Sequence, residues 1–310
     1  MPRLSAVTPD ACGVLGAKGK GQRTLGATSC VACGGVLTPF GSRLNYSYHR
    51  CVRCRTLQLV PMPDKAELDD AYKNAYASVG HIDPDPETWT AITRPRRQAV
   101  LDVLEDHAVK GKVLDYGAGW GGLCELLAAN GFEYQGVELS EEMVEYCRKR
   151  GLSVLHGDIA RVRETDFAAL VMICVFEHLI DHEEWLGHAR RLLRPRGLFV
   201  SLQPTALFAG FMGQILRLGC KKLPLPALDR TFRPPWHTVL FSLRGMSILA
   251  ARHGFELLEI RPAPQGVASG FTGIAQKILQ AVNRLGWPIL GLRWPLVIGH
   301  IFVFRKTDAP

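Results

Sequence analysis

VLDYGAGWGGL, residues 113–123, decides the fold of this chain. It reads as a buried strand that stops at Asp115, a glycine turn, and the first turn of a helix. Gly117, Gly119 and Gly121 let the backbone bend sharply and come closer to a ligand than side chains would allow. Apolar residues resume at Leu123, Leu126 and Leu127 with helical spacing. A strand, a glycine turn and a helix in that order offer backbone N–H groups and a helix N-terminus to a nucleotide-like ligand. The stretch therefore predicts an adenosine-containing cofactor.

Two cofactors compete for it. Gly117, Gly119 and Gly122 satisfy G-x-G-x-x-G, and Glu138 lies where a dinucleotide fingerprint places its ribose ligand, which by itself reads as NAD. Asp115 points elsewhere. Its carboxylate, two residues before the first glycine, is unfavourable beside a pyrophosphate and suits a ligand carrying a sulfonium and an ammonium group. From here the segment resembles motif I of the class I S-adenosylmethionine methyltransferases. Later segments follow that family's order. YQGVELS (134–140) ends a second strand on Glu138, and HGDI (156–159) ends a third near Asp158. CVFEHL (174–179) follows a fourth apolar run, and LLRPRGLFVSL (192–202) passes from helix to strand. The alternation from 112 to 202 predicts an α/β fold with a doubly wound, mostly parallel sheet, and the resemblance implies seven strands of the Rossmann-like kind.

The resemblance also implies roles. The turn from Asp115 through Gly117, Ala118 and Gly119 to Gly121 would cradle the methionine part of S-adenosylmethionine. Glu138 would accept hydrogen bonds from the ribose hydroxyls, with Leu139, Asp158 and Ile159 towards the adenine and Cys174 at the cofactor's edge. Methyl transfer is an in-line displacement, so the enzyme mainly aligns the acceptor and removes its proton. His178 is the candidate general base, with Glu177 to orient it or to hold a metal. CVFEHL resembles the E-x-x-E-H motif of some sugar, quinone and small-RNA methyltransferases, but Cys174 replaces the first glutamate, which counts against a catalytic divalent ion. His182 lies one turn further on. In RPPWHTVLFS (233–242), His237 beside Trp236 occupies the place where the family often carries an acceptor-side histidine.

Cysteine spacing is the second signal. Of nine cysteines, Cys30, Cys33, Cys51 and Cys54 form two C-x-x-C pairs separated by residues 34–50. This is the two-knuckle pattern of a structural zinc ribbon, in which four thiolates close a tetrahedral Zn²⁺ site. Residues 1–28 contain no apolar stretch of the secretory kind, so reduced thiols and a cytoplasmic location are expected. These anchors divide the chain into a disordered segment 1–28, a ribbon 29–60, a helical linker 61–108 and a methyltransferase domain 109–310 with an insertion at 203–235. Within the linker, 64–76 reads as a helix, 81–90 as a proline-broken loop and 91–108 as a second helix.

Charge is uneven. The net +8 arises almost wholly from residues 203–310, which carry 13 Lys and Arg against 4 Asp and Glu. That third holds the apolar runs TALFAGFMGQIL (205–216) and LGWPILGLRWPLVIGHIFVF (285–304), both too interrupted to span a bilayer. Basic residues beside apolar ones suit peripheral contact with an anionic membrane, including the inner membrane surface, or an anionic acceptor. For 205–225 a membrane contact and a lid over the substrate are both open, whereas the alternation of HIFVFRK (300–306) predicts a buried closing strand. A ribbon ahead of such a domain resembles bacterial sugar and secondary-metabolite methyltransferases, which implies a small-molecule or lipid-linked acceptor methylated on oxygen or carbon. The alternative is a ribosomal RNA enzyme whose ribbon grips RNA; Arg43, Arg50, Arg53 and Arg55 are present, without an aromatic-rich basic stripe beyond Tyr46 and Tyr48.

Overall fold

The computed structural model describes residues 29–43, 45–68, 70, 85–217, 231–266 and 270–308. The segment expected to be disordered (1–28), most of the helix expected at 64–76, and 218–230 of the expected insertion lie outside the described residues. Residues 65–68 are helical, with Asp64 Oδ1 accepting from the Glu67 N–H.

A seven-stranded sheet forms the centre. Its strands are β4 (Val113–Tyr116), β5 (Tyr134–Glu138), β6 (Val154–His156), β7 (Phe167–Ile173), β8 (Leu193–Pro204), β10 (Phe255–Pro262) and β11 (Gly299–Lys306), in the order β10-β11-β8-β7-β4-β5-β6. Strands β6, β5, β4, β7 and β8 run parallel, while β11 is antiparallel to both β8 and β10. The chain leaves β4 in one direction towards β6 and returns on the other side as β7. The carboxyl ends of β4 and β7 therefore flank a topological switch point, the place where open α/β sheets bind ligands. Alternation in β11 works as its sequence indicates. Ile301 and Val303 enter the core on one face, and Phe302 and Phe304 enter the core on the other.

On the first face lies α1 (Pro86–Asp106), which buries Val100, Leu101, Val103 and Leu104 together with Leu123 and Leu127 of α2 (Gly122–Ala129). This helix corrects the part of the loop expected at 81–90 that lies within 86–90; residues 81–84 lie outside the described residues. It begins at Pro86, because Asp85 accepts from the Thr88 N–H (3.0 Å) and Pro86 needs no donor in the first turn. Pro95, inside the helix, does not end it. Helix α3 (Glu141–Lys149) follows β5, and α4 (His182–Leu192) and α6 (Leu243–Arg252) cover the second face around Trp185, Leu186, Met246 and Leu249.

A second, four-stranded antiparallel sheet carries the cysteines: β1 (Leu37–Arg43), β2 (Tyr46–Cys51), β3 (Leu57–Leu59) and β9 (Val239–Leu240), in that order. The ribbon expected to close at residue 60 is thus completed by Val239–Leu240, far beyond that boundary. Without β9, the outer edge of β3 would present unpaired backbone groups. Cys30, Cys51 and Cys54 share one core with Phe176, Phe241 and Met246, so ribbon and domain pack as one body. Helix α5 (Ala206–Arg217), at the start of the expected insertion, rests Ala206, Ala209 and Met212 on Tyr48, Leu57 and Leu59 of the ribbon.

Candidate functional site

The glycine turn is shaped by backbone requirements that no other residue meets. Gly117 has φ +80°, and a Cβ there would lie 2.4 Å from Val175 Cγ2. Gly121, at φ +78° and capping α2, would bring its Cβ to 2.6 Å from Leu152 Cδ1. The turn therefore stays tight and keeps the N-terminus of α2 open to a ligand. Ala118 lies inside it, its N–H donating to the Val137 carbonyl.

Asp115, at the end of β4, is buried, and Cys124 Sγ lies 3.6 Å from its Oδ2. Burial pushes its carboxyl up to about 7, with Arg97 pulling the other way. Glu138, at the end of β5, is fixed by the backbone. Its Oε2 accepts from the Gly119 N–H (2.9 Å), and Oε1 accepts from the N–H groups of Leu139 (2.8 Å) and Ser140 (2.9 Å). Those bonds tie the carboxylate to the glycine turn and leave a lone pair on Oε2 for a ribose hydroxyl. Leu139 is exposed beside it. Asp158 uses one oxygen to accept from Tyr116 Oη (2.8 Å) and from the Ile159 N–H, capping the short turn at 159–161, and Ile159 is buried.

A cavity opens between this turn and α1. Trp89, Thr93, Arg96 and Arg97 line it from the helix; Asp115, Gly117, Ala118, Gly119 and Cys174 line it from the sheet side. Arg97 is buried, donating to Thr93 Oγ1 (2.5 Å) and to the Thr90 carbonyl. These α1 residues are the functional candidates that motif reading passes over. The signal was present in Asp85-Pro86-Glu87, a helix start, followed by Arg94, Arg96 and Arg97 one face further on. Cys174, at φ +57°, follows β7 with its Sγ 3.7 Å from Arg96 Nη1, and burial raises its thiol to about 11.

Glu177, His178 and His237 meet at the carboxyl end of β7. Their ligand atoms lie within 4.8 Å of one another. The ring centroids of His178 and His237 are 5.0 Å apart, and His178 Nε2 is 3.9 Å from Glu177 Oε1. Neither carboxyl oxygen of Glu177 finds a hydrogen-bond partner, and burial pushes this group up to about 8. Burial also holds His178 well below its ordinary value and His237 down to about 4, so both imidazoles are neutral at neutral pH. His237 Nδ1 donates to the Thr231 carbonyl (2.6 Å), which leaves the Nε2 lone pair free. His182 stands apart, with its Nε2 on the Phe176 carbonyl and its ring against Phe176 and Phe241.

Residues 177 and 237 are distant in sequence, and the ribbon's sheet joins them. Thr238 donates its N–H to the Glu177 carbonyl (2.9 Å) and its hydroxyl to the Leu179 carbonyl (2.6 Å). On the other side, Tyr48 Oη of β2 donates to the His237 carbonyl (2.8 Å). The four cysteines form the second ligand cluster. Cys30 and Cys54 sulfurs are 3.6 Å apart and Cys33 and Cys51 sulfurs 3.5 Å, with all four within 4.8 Å. A tetrahedral zinc with bonds of about 2.3 Å needs sulfurs about 3.8 Å apart, so the donor set fits that ion.

The family model described as Methyltransferase domain matches residues 89–260, a little over half of the chain. A Mycobacterium tuberculosis protein named a probable fatty acid methyltransferase is 28% identical over 135 residues, covering 37% of this chain and 32% of that one. The ubiquinone biosynthesis O-methyltransferase of Methylococcus capsulatus is 30% identical over 125 residues, covering 37% of this chain and 52% of that one. The chain therefore spans about a third and about half the length of these two relatives. In fold, it is similar to the Burkholderia thailandensis 1,6-didemethyltoxoflavin-N1-methyltransferase, solved with S-adenosylhomocysteine, at a TM-score of 0.51 and 16% identity over 87% of this chain and 99% of that one. The chain belongs to the methyltransferase domain family.

Proposed function

We propose that this methyltransferase alkylates oxygen or carbon of a small-molecule acceptor: a sugar, nucleotide-sugar, secondary metabolite or lipid-linked substrate. One observation carries the reading. Two neutral histidines and an unpartnered buried carboxyl converge just past Cys174, the residue after β7 that lines the cavity at the glycine turn. Neutral imidazoles are proton acceptors and serve a hydroxyl or an acidic carbon, which must lose a proton as it is alkylated.

When bound, S-adenosylmethionine supplies an electrophilic methyl carbon. The residues to hold it are Asp115 for the cationic end, Glu138 for the ribose, and Leu139, Asp158 and Ile159 around the adenine, with Arg96 and Arg97 closing the cavity from α1. His178 receives the acceptor's proton at a ring nitrogen. Glu177, 3.9 Å away and carrying its own proton at rest, is placed to orient that imidazole. His237, its tautomer set by Thr231, faces the same space as a second base or as the orienting partner of the acceptor. A metal ion shared by these three residues is the second reading, favoured by the orphaned carboxyl oxygens of Glu177.

We further infer that Cys30, Cys33, Cys51 and Cys54 hold a structural zinc. All four positions would be filled by protein, so the ion braces the fold. Thiols of this kind fit a cytoplasmic protein. The relatives' names, one for ubiquinone biosynthesis and one for fatty acid methylation, support an apolar or lipid-linked acceptor. The test is transfer of a radiolabelled methyl group from S-adenosylmethionine into a fractionated extract of the source organism. Label in solvent-soluble or small-molecule fractions is the expected result. Label that stays with RNA and vanishes on RNase treatment would overturn the assignment.

A further inference from the structure

Helix α7 (Gly270–Leu290) joins the end of β10 to the start of β11 and is amphipathic in the reverse of the usual sense. A helix on a globular protein normally turns its apolar stripe inward. Here Ile274 (58% exposed), Ile278 (60%), Val282 (37%), Leu285 (73%) and Ile289 (80%) recur every three or four residues along one outward face. The polar and aromatic side faces the protein. Asn283 accepts from Trp294 Nε1 (2.7 Å) and donates to the Leu296 carbonyl (3.3 Å). Trp287 packs on the buried His300, with ring centroids 5.7 Å apart. Leu290 and Leu292 extend the apolar face into the following turn, beside a shallow groove floored by Trp294.

Charge identifies what covers this face. Residues 263–307 contain no Asp or Glu. Lys277 and Arg284 are exposed along one flank of the stripe, and Arg293 is exposed just beyond its end. We propose that α7 lies flat on an anionic phospholipid surface, with its five stripe residues in the acyl boundary and these cations among the headgroups. A second copy of the chain, pairing stripe to stripe about a two-fold axis, would oppose the same cations with nothing acidic between them. No helix among the described residues is long and apolar enough to cross a membrane, so the contact is peripheral. The placement has a use. Gly299, where α7 delivers the chain into β11, pairs with Pro204 at the carboxyl end of β8. The docked helix therefore borders the sheet edge that carries Glu177 and His178, and an acceptor dissolved in or anchored to the bilayer would arrive on that side.

The inference does not depend on which molecule is methylated, and its test uses no turnover. Full-length protein is floated with vesicles of pure phosphatidylcholine and with vesicles containing phosphatidylglycerol, at low and at high salt. Flotation with the anionic vesicles that falls in high salt is expected. Lys277→Gln with Arg284→Gln should weaken partition by about thirtyfold, the product of two headgroup contacts. Leu285→Glu with Ile289→Glu should abolish it. All four positions are exposed, so unfolding midpoints should stay at the wild-type value. Failure of the wild type to float on anionic vesicles would overturn the proposal. So would sedimentation showing a dimer that Leu285→Glu dissociates, since a second copy would then own the face.

Discussion

Replacing Glu177 by Gln should make the protein more stable towards alkaline pH and less active. The wild-type carboxyl titrates near 8 in the folded protein against an ordinary 4.5, because it is buried without a hydrogen-bond partner. Between those values the folded state holds a proton that the unfolded chain has released. Rising pH therefore favours unfolding, at up to ~1.4 kcal/mol per pH unit. From pH 6 to pH 8 this one residue costs the wild type about 2 kcal/mol of stability. Glu177→Gln removes that dependence. Burying an amide there has its own cost of about 1–3 kcal/mol, but that cost is the same at both pH values and cancels. Asp115, raised in the same direction, is present in both proteins and cancels too. Urea unfolding followed by tryptophan fluorescence at pH 6 and pH 8 measures the quantity directly. The stability of Glu177→Gln relative to wild type should rise by about 2 kcal/mol across that interval, while kcat falls. A difference that does not change with pH would refute the reasoning, and would place a cation, such as a metal ion shared with His178 and His237, on the carboxylate.

Asp115→Ala should abolish S-adenosylmethionine binding by calorimetry while the protein stays folded; unchanged affinity would remove the glycine-turn assignment. Metal analysis of purified protein should find about one zinc per chain, reduced by Cys33→Ser, and a value near zero would sink the ribbon. His178→Gln should lower kcat by about 10²–10⁴-fold with cofactor affinity unchanged. Burial disfavours the His178 cation, so the base stays neutral on acidification and the acid limb of kcat should lie below its ordinary 6.5. A limb at or above that value would assign the base elsewhere.

What could be read from the chain follows from how local each constraint is. The glycine turn, Asp115 and Glu138 lie within one strand–turn–helix–strand passage, where spacing dictates placement, and the parallel sheet follows from the same alternation. Both C-x-x-C pairs were legible for the same reason, since a knuckle fixes its ligands within four residues. Contacts across the chain were not. Arg97 reaches Asp115 from a helix that begins twenty-nine residues before it, at Pro86, and a proline-rich start masks that helix. His237 was singled out by resemblance, but its approach to His178 is held by Thr238 and β9, which no local spacing announces. In α7 the apolar period is visible in the letters. Which face turns outward is not, because periodicity is the same whichever side packs.

Strand β9 also sets an order of events. The sheet begun at Leu37 waits for Leu240 before the outer edge of β3 is covered. At ribosomal speeds of about 5–20 residues per second, the open edge of β3 is exposed for roughly 10–40 s after it emerges. An unpaired strand edge invites pairing with other chains for as long as it lasts. Four thiols gathered on a zinc ion would tie down the knuckles during that interval, leaving only the three residues of β3 to be covered. In the nascent chain, the metal's value would then lie in holding β1 to β3 until Val239 and Leu240 reach them.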